Sequence, residues 1–255
     1  MNTERVDSNL FEGSHYLGKP ADFTDKIISR RVELVKQIPD FCNENYSLVE
    51  VGCGNGSSMI LLSAQFKNIL GLEIHEPHKK EFDELKQKFS ASNCDFKQFD
   101  IENESDRKNM NQKFDRLISF EVIEHFPHEE SVKYFADLLN ENGLLAISVP
   151  NKWWIFETHG AKLPLLPWNR VPFFSWLPRS IHERFANARI YTKNRIKKLL
   201  EQSGFEVLEM KYITAPMDVL KEGKLKRWLL KNIFKNDTTS SPFKSTSIFV
   251  VARKK

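Results

Sequence analysis

Long apolar runs are missing from this sequence. No stretch approaches the roughly 18 consecutive apolar residues that a membrane-spanning helix needs, and the N-terminal segment MNTERVDSNLFEGSHYLG has no apolar core of the kind found in secretory signals. These absences argue against an integral membrane protein and against secretion. We therefore expect the protein to work in the cytoplasm.

Cysteine is also scarce. The chain has three cysteines, Cys42, Cys53 and Cys94, which are dispersed and show no C-x-x-C spacing. An odd number without paired spacing argues against both a disulfide framework and a zinc cluster. We expect reduced, mostly buried thiols.

Neither sign of charge dominates the composition. The net charge is +4 at pH 7, charged residues make up 28% of the chain and hydrophobic residues 40%. This composition is typical of a globular protein and excludes a disordered or collagen-like chain. At 255 residues, the chain is long enough for one α/β domain with additions.

From residue 47 onward, short β-rich runs alternate with longer helical stretches. Predicted strands cover residues 47–51, 68–74, 95–99, 115–120, 144–149, 205–213 and 245–252, and predicted helices cover 57–66, 77–90, 129–140, 191–203 and 218–235. Such alternation predicts a doubly wound α/β fold, in which helices cover both faces of a mostly parallel sheet. We expect residues 1–44 to form a helical cover, with a helix from about residue 22 to 37.

The segment 151–190 interrupts this alternation. It holds four of the five tryptophans and many prolines, without clear periodicity. A long loop of this kind is usually functional or disordered, and its aromatic content argues against disorder. We interpret it as an insertion that forms a lid over a site, although most of its aromatic residues could equally serve core packing.

A glycine-rich turn is the most informative local feature. In LVEVGCGNGSS, residues 48–58, an apolar strand runs into Gly52, Gly54 and Gly56 and then into a helix. Glycines let the backbone turn tightly and approach a ligand, while the N–H groups of the helix face that ligand. The next strand ends at Glu73, about 20 residues later, where a carboxylate can accept hydrogen bonds from ribose hydroxyls. The two features together predict a nucleotide-type cofactor site.

The pattern E-x-G-C-G-x-G, with Glu50 two residues before Gly52, resembles the first motif of class I S-adenosylmethionine-dependent methyltransferases rather than the G-x-G-x-x-G of dehydrogenases. FDRLISFEVIEHF, residues 114–126, resembles the fourth-strand motif of that family, and Asp100 with Ile101 resembles its adenine contacts. The resemblance implies a Rossmann-like, seven-stranded sheet with an antiparallel last strand, in a methyltransferase domain over residues 45–255. It implies S-adenosylmethionine as cofactor, bound by the following residues: Glu50, Gly52, Gly54, Gly56, Glu73, Asp100, Ile101 and Glu121.

Glu121, Glu124 and His125 form E-x-x-E-H directly after the fourth predicted strand, where open α/β sheets present their ligands. A histidine or carboxylate there can act as the base that methylation of a hydroxyl needs, so these three residues are the catalytic candidates. The motif also resembles metal-linked motifs of ubiquinone-biosynthesis O-methyltransferases and of small-RNA 2′-O-methyltransferases. A divalent metal on these three side chains, with His159 or His182 as a further ligand, is therefore an alternative to metal-free catalysis.

The C-terminal third carries the excess of basic residues, in segments 179–198 and 221–235. The second segment interleaves these charges with Trp228 and leucines, and could contact an anionic membrane surface or bind phosphates. Alternatively, it is a solvated helix face beside an ordinary core face.

Three functions follow as hypotheses. The first is O-methylation of a small-molecule, lipid or glycan acceptor, which the lid favours over a protein acceptor. The lid itself resembles the insertion of the ubiquinone-methyltransferase-like group. The second is RNA 2′-O-methylation, which the absence of a recognisable RNA-binding appendage disfavours. The third is a non-catalytic, methyltransferase-like binding protein. The sequence leaves the acceptor and the oligomeric state open.

Overall fold

A computed structural model describes residues 23–159, 172–217 and 220–255. Part of the predicted N-terminal cover (1–22), the middle of the predicted lid (160–171) and the predicted start of the basic helix (218–219) lie outside the described residues.

The described chain is built around one eight-stranded sheet. Its strands are β1 Asn43–Val51, β2 Phe66–Glu73, β3 Cys94–Gln98, β4 Phe114–Phe120, β5 Leu139–Pro150, β6 Phe205–Thr214, β7 Thr238–Thr239 and β8 Ser245–Lys254. Their order across the sheet is β3-β2-β1-β4-β5-β8-β6-β7. The first five strands pair in parallel, and β8 inserts antiparallel between β5 and β6. The predicted fold is confirmed, with an eighth strand because the two-residue β7 adds to β6.

Helices surround the sheet. They are α1 Lys26–Lys36, α2 Ser57–Leu62, α3 His78–Lys88, α4 Glu104–Lys108, α5 Phe135–Leu138, α6 Arg179–Phe185, α7 Lys193–Gln202 and α8 Lys224–Asn232. Short 3₁₀ turns cover Ser63–Gln65, Ile123–His125, Glu129–Tyr134, Phe174–Trp176 and Pro242–Lys244. Within the residues that the structure describes, no helix has the length and apolar character to span a bilayer.

Two apolar clusters lie on opposite faces of the sheet. On one face, α1, α2 and α3 contribute Val35, Met59 and Phe82. On the other, α5 and α7 contribute Phe135 and Leu200. Strands covered on both sides have few positions for polar side chains, which explains the apolar runs of the parallel strands.

Several predicted helix limits were wrong. The helix predicted over 57–66 ends at Leu62, because the chain already enters β2 at Phe66. The helix predicted over 129–140 is a 3₁₀ turn followed by the four-residue α5, because pairing of Leu139 with Phe114 starts β5 early. The basic helix predicted over 218–235 spans Lys224–Asn232 within the described residues.

The carboxyl ends of β1, β2, β3 and β4 meet at one edge of the sheet, as parallel pairing requires. The segments that leave these strands contain nearly all of the sequence-predicted site residues. Because open α/β sheets bind ligands outside the carboxyl ends of their strands, a ligand site is expected at this edge.

Candidate functional site

A cavity of about 640 Å³ lies at this edge of the sheet. Its volume is in the range of small-molecule and cofactor sites. The turns after β1 to β4 line it together with α1, the first part of the predicted lid and the segment before α8. Of the sequence-predicted site residues, these line it: Glu50, Gly52, Gly54, Glu73, Asp100, Ile101, Glu121 and His125.

The glycine turn after β1 depends on backbone conformations that favour glycine. Gly52, Gly54 and Gly56 have φ angles of 71°, 53° and 76°. A Cβ on Gly52 would overlap the side chain of Val122, and one on Gly56 would lie 2.5 Å from the Phe82 ring. Gly56 is not among the residues that line the cavity. In this structure its need for glycine comes from the close approach of α3.

Glu73 is buried at the end of β2 and is bound to the glycine turn. The backbone N–H of Gly54 donates to its Oε2 at 2.8 Å, and the N–H of His75 donates to its Oε1 at 3.0 Å. A carboxylate has about four lone-pair sites, so acceptor capacity remains for a ligand. The sequence spacing therefore places an oriented acceptor beside the turn.

Asp100 and Ile101 follow β3 at the same side of the cavity. The N–H of Glu102 donates to Asp100 Oδ1 at 2.8 Å, and the N–H of Asp100 donates to Asp106. Ile101 is buried. The pair offers one carboxylate and one apolar contact to a ligand that lies between them and Glu73.

Two buried side chains of opposite charge type, Glu50 and Arg31, line the cavity, and each has a polar atom that lacks a hydrogen-bond partner among the described residues. Burial raises the pKa of Glu50 to about 8, an effect that hydrogen bonds from Met59 and Ser58 only partly offset. Among the described residues, Glu50 Oε2 and Arg31 Nε have no hydrogen-bond partner. A ligand with both an anionic and a cationic group would supply the missing hydrogen-bond partners of both side chains.

Arg31 lies on α1 and sequence analysis missed it. Its Nη2 is 3.1 Å from Glu121 Oε1. It lies on the apolar face of α1, between Ile28 and Val35, which are both buried. An arginine inside an apolar helical face is the signal that could have identified it.

Glu121 follows β4 directly and has a φ of 57°, in the left-handed region that non-glycine residues seldom adopt. The hydroxyl of Ser148 on β5 donates to its Oε1 at 3.0 Å. Arg31 binds the same oxygen. Three elements thus hold this carboxylate at the cavity wall, and strained backbone of this kind is found most often at functional sites.

Glu124 and His125 lie in the 3₁₀ turn that follows. Glu124 is fully buried and does not line the cavity, and burial together with nearby Glu121 raises its pKa well above the ordinary value. Burial, with His159 and Arg189 nearby, lowers the pKa of His125 to about 3. At neutral pH, His125 is therefore an uncharged imidazole at the cavity wall.

The lid adds a histidine to this group. His159 Nε2 is 3.5 Å from Glu124 Oε1, and the rings of His125 and His159 are 5.1 Å apart. Ligand-type atoms of Glu124, His125 and His159 all lie within 4.8 Å of one another. Carboxylate and neutral imidazole are suitable metal ligands, so these three side chains could hold a divalent ion.

This set differs from the sequence-predicted one at Glu121, and it includes one of the two alternative lid histidines. Glu121 pairs with Arg31 and is not part of the cluster. His182 instead lies 2.6 Å from Glu157, with both side chains buried in the lid. Of the two lid histidines considered from the sequence, the structure brings His159 to the site.

Comparisons with known proteins agree with the fold and the turn. A family model described as a methyltransferase domain matches residues 23–210. A comparison with curated proteins gives no match.

Solved structures share the fold at low identity. An S-adenosylmethionine-dependent methyltransferase from Clostridium acetobutylicum ATCC 824 is 12% identical, with 92% of each chain covered and a TM-score of 0.57. One from Mesorhizobium loti is 14% identical, with 91% of this chain and 100% of that chain covered and a TM-score of 0.59. Magnesium protoporphyrin IX methyltransferase from Synechocystis PCC 6803, solved with bound S-adenosylmethionine, is 15% identical, with 95% and 89% covered and a TM-score of 0.53.

Proposed function

This chain belongs to the methyltransferase domain family and is an S-adenosylmethionine-dependent methyltransferase, and we propose that it methylates a hydroxyl oxygen on a small-molecule, lipid or glycan acceptor. The ubiquinone-biosynthesis-like subgroup that the lid resembles is part of this proposal.

The cavity suits the cofactor by the charge of its lining and by its size. Glu50 Oε2 and Arg31 Nε, which have no hydrogen-bond partner among the described residues, match the ammonium and carboxylate groups of a methionine moiety. Glu73 offers lone pairs to ribose hydroxyls, and Asp100 with Ile101 offers one polar and one apolar contact to adenine. The predicted roles of Glu50, Gly52, Gly54, Glu73, Asp100, Ile101 and Glu121 are kept on this basis. For Gly56, the proposed role is to let the turn form against α3.

When bound, S-adenosylmethionine supplies an electrophilic methyl group to a nucleophile aligned with it. The residues of this chain must therefore orient an acceptor and receive its proton. His125 is the candidate for that step, because it lines the cavity and its buried Nδ1 has no hydrogen-bond partner among the described residues. Glu124 and His159 lie beside it, and the arrangement can pass the proton on or hold a metal that polarises the hydroxyl.

The observation that carries the hydroxyl acceptor is the imidazole of His125, which lines the same cavity as Glu121 and whose buried Nδ1 has no hydrogen-bond partner among the described residues. The cavity is also lined by apolar side chains, including Trp154, Phe156, Met217 and Leu220. This lining suits an acceptor with an apolar body. We place the reaction in the cytoplasm, a location that the three unpaired cysteines support.

The test is transfer of a radiolabelled methyl group from S-adenosylmethionine into a host-cell extract that is then fractionated into lipid, glycan, RNA, protein and small molecules. We expect label in the lipid, glycan or small-molecule fraction. Label in RNA would overturn the proposal in favour of 2′-O-methylation of RNA. Cofactor binding without label in any fraction of several extracts would favour the non-catalytic hypothesis. Loss of label with chelator would assign Glu124, His125 and His159 to a metal.

The role of His125 is tested separately. We expect His125→Ala to lower turnover at least about a hundredfold, because general acid–base catalysis contributes about 10²–10⁴-fold, while affinity for S-adenosylhomocysteine stays within about twofold. His128→Ala is the matched control, since His128 is exposed on the next turn and does not line the cavity. Full turnover in the His125 variant would remove this residue from the mechanism.

A further inference from the structure

Helix α8 exposes apolar side chains that a helix on a protein surface usually hides. Leu225 is 66% exposed and Trp228 is 55% exposed. The helix has no fully buried residue and packs on the rest of the protein through Leu229 and Leu230, which are partly buried. Its outer face thus combines a leucine and a tryptophan, with no described residue covering either.

The same helix concentrates positive charge. Residues 221–235 contain six lysines or arginines against one acidic residue, so their net charge of +5 exceeds the +4 of the whole chain. Lys224, Arg227 and Lys231 are exposed next to the two apolar side chains. A tryptophan flanked by basic residues on a helix surface is typical of peripheral membrane contact.

Three exposed aromatic rings lie on segments that contact residues 153–155, which also contribute to the apolar cluster beneath α8. Phe173, Trp176 and Phe243 are all exposed, and their ring centroids lie 4.9 Å and 5.7 Å apart in sequence. The N–H of Phe173 donates to the carbonyl of Ile155, and Ile155 packs on the cluster that receives Leu229 and Leu230 of α8. The rings and the helix are therefore both connected to the apolar cluster of Trp154, Ala215 and Phe234.

The same apolar cluster also borders the cavity. Trp154, from the cluster under α8, lines it, as do Met217 and Leu220 from the segment that leads into α8. Both the cluster beneath α8 and the segment before α8 therefore reach the cavity.

We propose that α8 together with Phe173, Trp176 and Phe243, the α8 surface, docks on an anionic phospholipid bilayer. Basic side chains are attracted to anionic headgroups, and the exposed rings and Leu225 enter the boundary of the acyl chains. The exposed Leu225 favours a bilayer over nucleic acid, because bases stack on aromatic rings and phosphates pair with basic side chains, whereas neither gains from an exposed leucine. If the proposed function holds, on which this step rests, the acceptor is lipid-borne and enters the cavity from the bilayer side.

Flotation of the purified full chain with phosphatidylcholine vesicles, with or without phosphatidylglycerol, tests this docking. We expect binding to anionic vesicles at least about tenfold tighter than to neutral ones, weakening as salt is added. The triple variant K224E/R227E/K231E should lose more than about a hundredfold in this affinity, at about 1 kcal/mol for each basic residue removed. L225S/W228S should lose about tenfold through the apolar part alone.

Matched controls separate the surface from general effects. K67E/K80E/K97E makes the same change of net charge at exposed sites on other elements, and L208S removes an exposed leucine from β6. Both should bind vesicles as the wild type does, and all four variants should keep the affinity for S-adenosylhomocysteine that the wild type shows without vesicles. Equal losses in the controls, no preference for anionic vesicles, or binding to single-stranded RNA in place of vesicles would overturn the docking surface. Vesicle binding by a wild type that fails to bind S-adenosylhomocysteine would sink the proposed function instead.

Discussion

At the scale of single residues, Glu73 has two tasks at once. Its carboxylate accepts the N–H groups of Gly54 and His75, and it lines the cavity where a ribose is expected. We expect Glu73→Ala to weaken binding of S-adenosylhomocysteine by about 1–3 kcal/mol, because a charge-assisted acceptor is lost and the glycine turn is freed. Isothermal titration calorimetry measures this change.

The control for this variant is Glu76→Ala, which removes an exposed carboxylate three residues further on. Its affinity should match that of the wild type. Unchanged affinity in both variants would contradict the placement of the cofactor beside Glu73.

Glu50 makes stability depend on pH in an unusual direction. Its pKa is about 8 in the folded protein and 4.5 as the ordinary value, so the folded state binds more protons than the unfolded state between these limits. Stability from this group therefore falls as pH rises. Burial of His125, whose pKa falls to about 3, acts in the opposite direction below pH 6.5, so the test belongs above that pH.

We expect Glu50→Gln to gain stability relative to the wild type as pH rises from 6.5 to 8, by about 2 kcal/mol, since one pKa unit corresponds to about 1.4 kcal/mol. Denaturant unfolding at several pH values, without cofactor, measures the difference. A constant difference across this range would show that Glu50 ionises as an ordinary carboxyl group.

Spacing along the chain was enough to predict Glu73 beside the glycine turn, and the resemblance of E-x-G-C-G-x-G to the family motif added Glu50. The same pattern could not reach Arg31, which meets Glu121 across 90 positions of sequence through the packing of α1. It also could not choose between His159 and His182, because that choice depends on how the lid folds.

At the scale of elements, ion pairs attach the lid helix α6 to the body of the protein. Arg195 on α7 binds Glu129 through two donors at 3.0 Å and 2.8 Å, and Glu183 on α6 at 2.8 Å. Both carboxylates are buried, and Arg179, which also binds them, is largely exposed. Arg195 is therefore the main charge partner of two buried acids.

We expect Arg195→Met to lower the free energy of unfolding by about 3–5 kcal/mol, because breaking a buried pair leaves an uncompensated charge. Denaturant unfolding measures this loss, and Arg184→Met, at an exposed position of α6, should change stability by less than about 0.5 kcal/mol. Although burial opposes it, Arg195 and Arg179 lower the pKa of Glu183, so the wild type should lose this part of its stability as pH falls below the ordinary carboxyl range, whereas the variant, which keeps only Arg179, should lose less. Equal effects of the two substitutions would show that these pairs are not what holds α6.

One predicted element was wrong. Helical periodicity over 129–140 did not reveal that Leu139 already pairs with Phe114 in β5, which leaves room only for a 3₁₀ turn and a short helix. The strands were predicted within a few residues, because burial on both faces leaves a clear apolar signal. The two-residue β7 has too few residues to leave such a signal.

At the scale of the whole molecule, the cavity joins parts that are distant in the sequence. Its lining comes from α1, the edge of the sheet, the lid and the segment before α8. A ligand that fills it contacts all of these at once. Binding should therefore stabilise the folded protein as a unit, rather than order a single loop.

This stabilisation can be predicted from mass action. A ligand present at about 100 times its dissociation constant stabilises the folded state by about 2.7 kcal/mol, and for a chain of this size each kcal/mol raises Tm by about 2–4 °C. We therefore expect S-adenosylhomocysteine to raise Tm by about 5–10 °C in differential scanning calorimetry, in one transition.

Glu73→Ala at the same ligand concentration should show a smaller shift, because the ligand occupies less of the protein, whereas Glu76→Ala should show the full shift. An NAD control should give none, because the third glycine of the turn falls outside the dehydrogenase pattern. Two separate transitions, with only one that responds to the ligand, would mean that the cavity does not couple these parts of the chain.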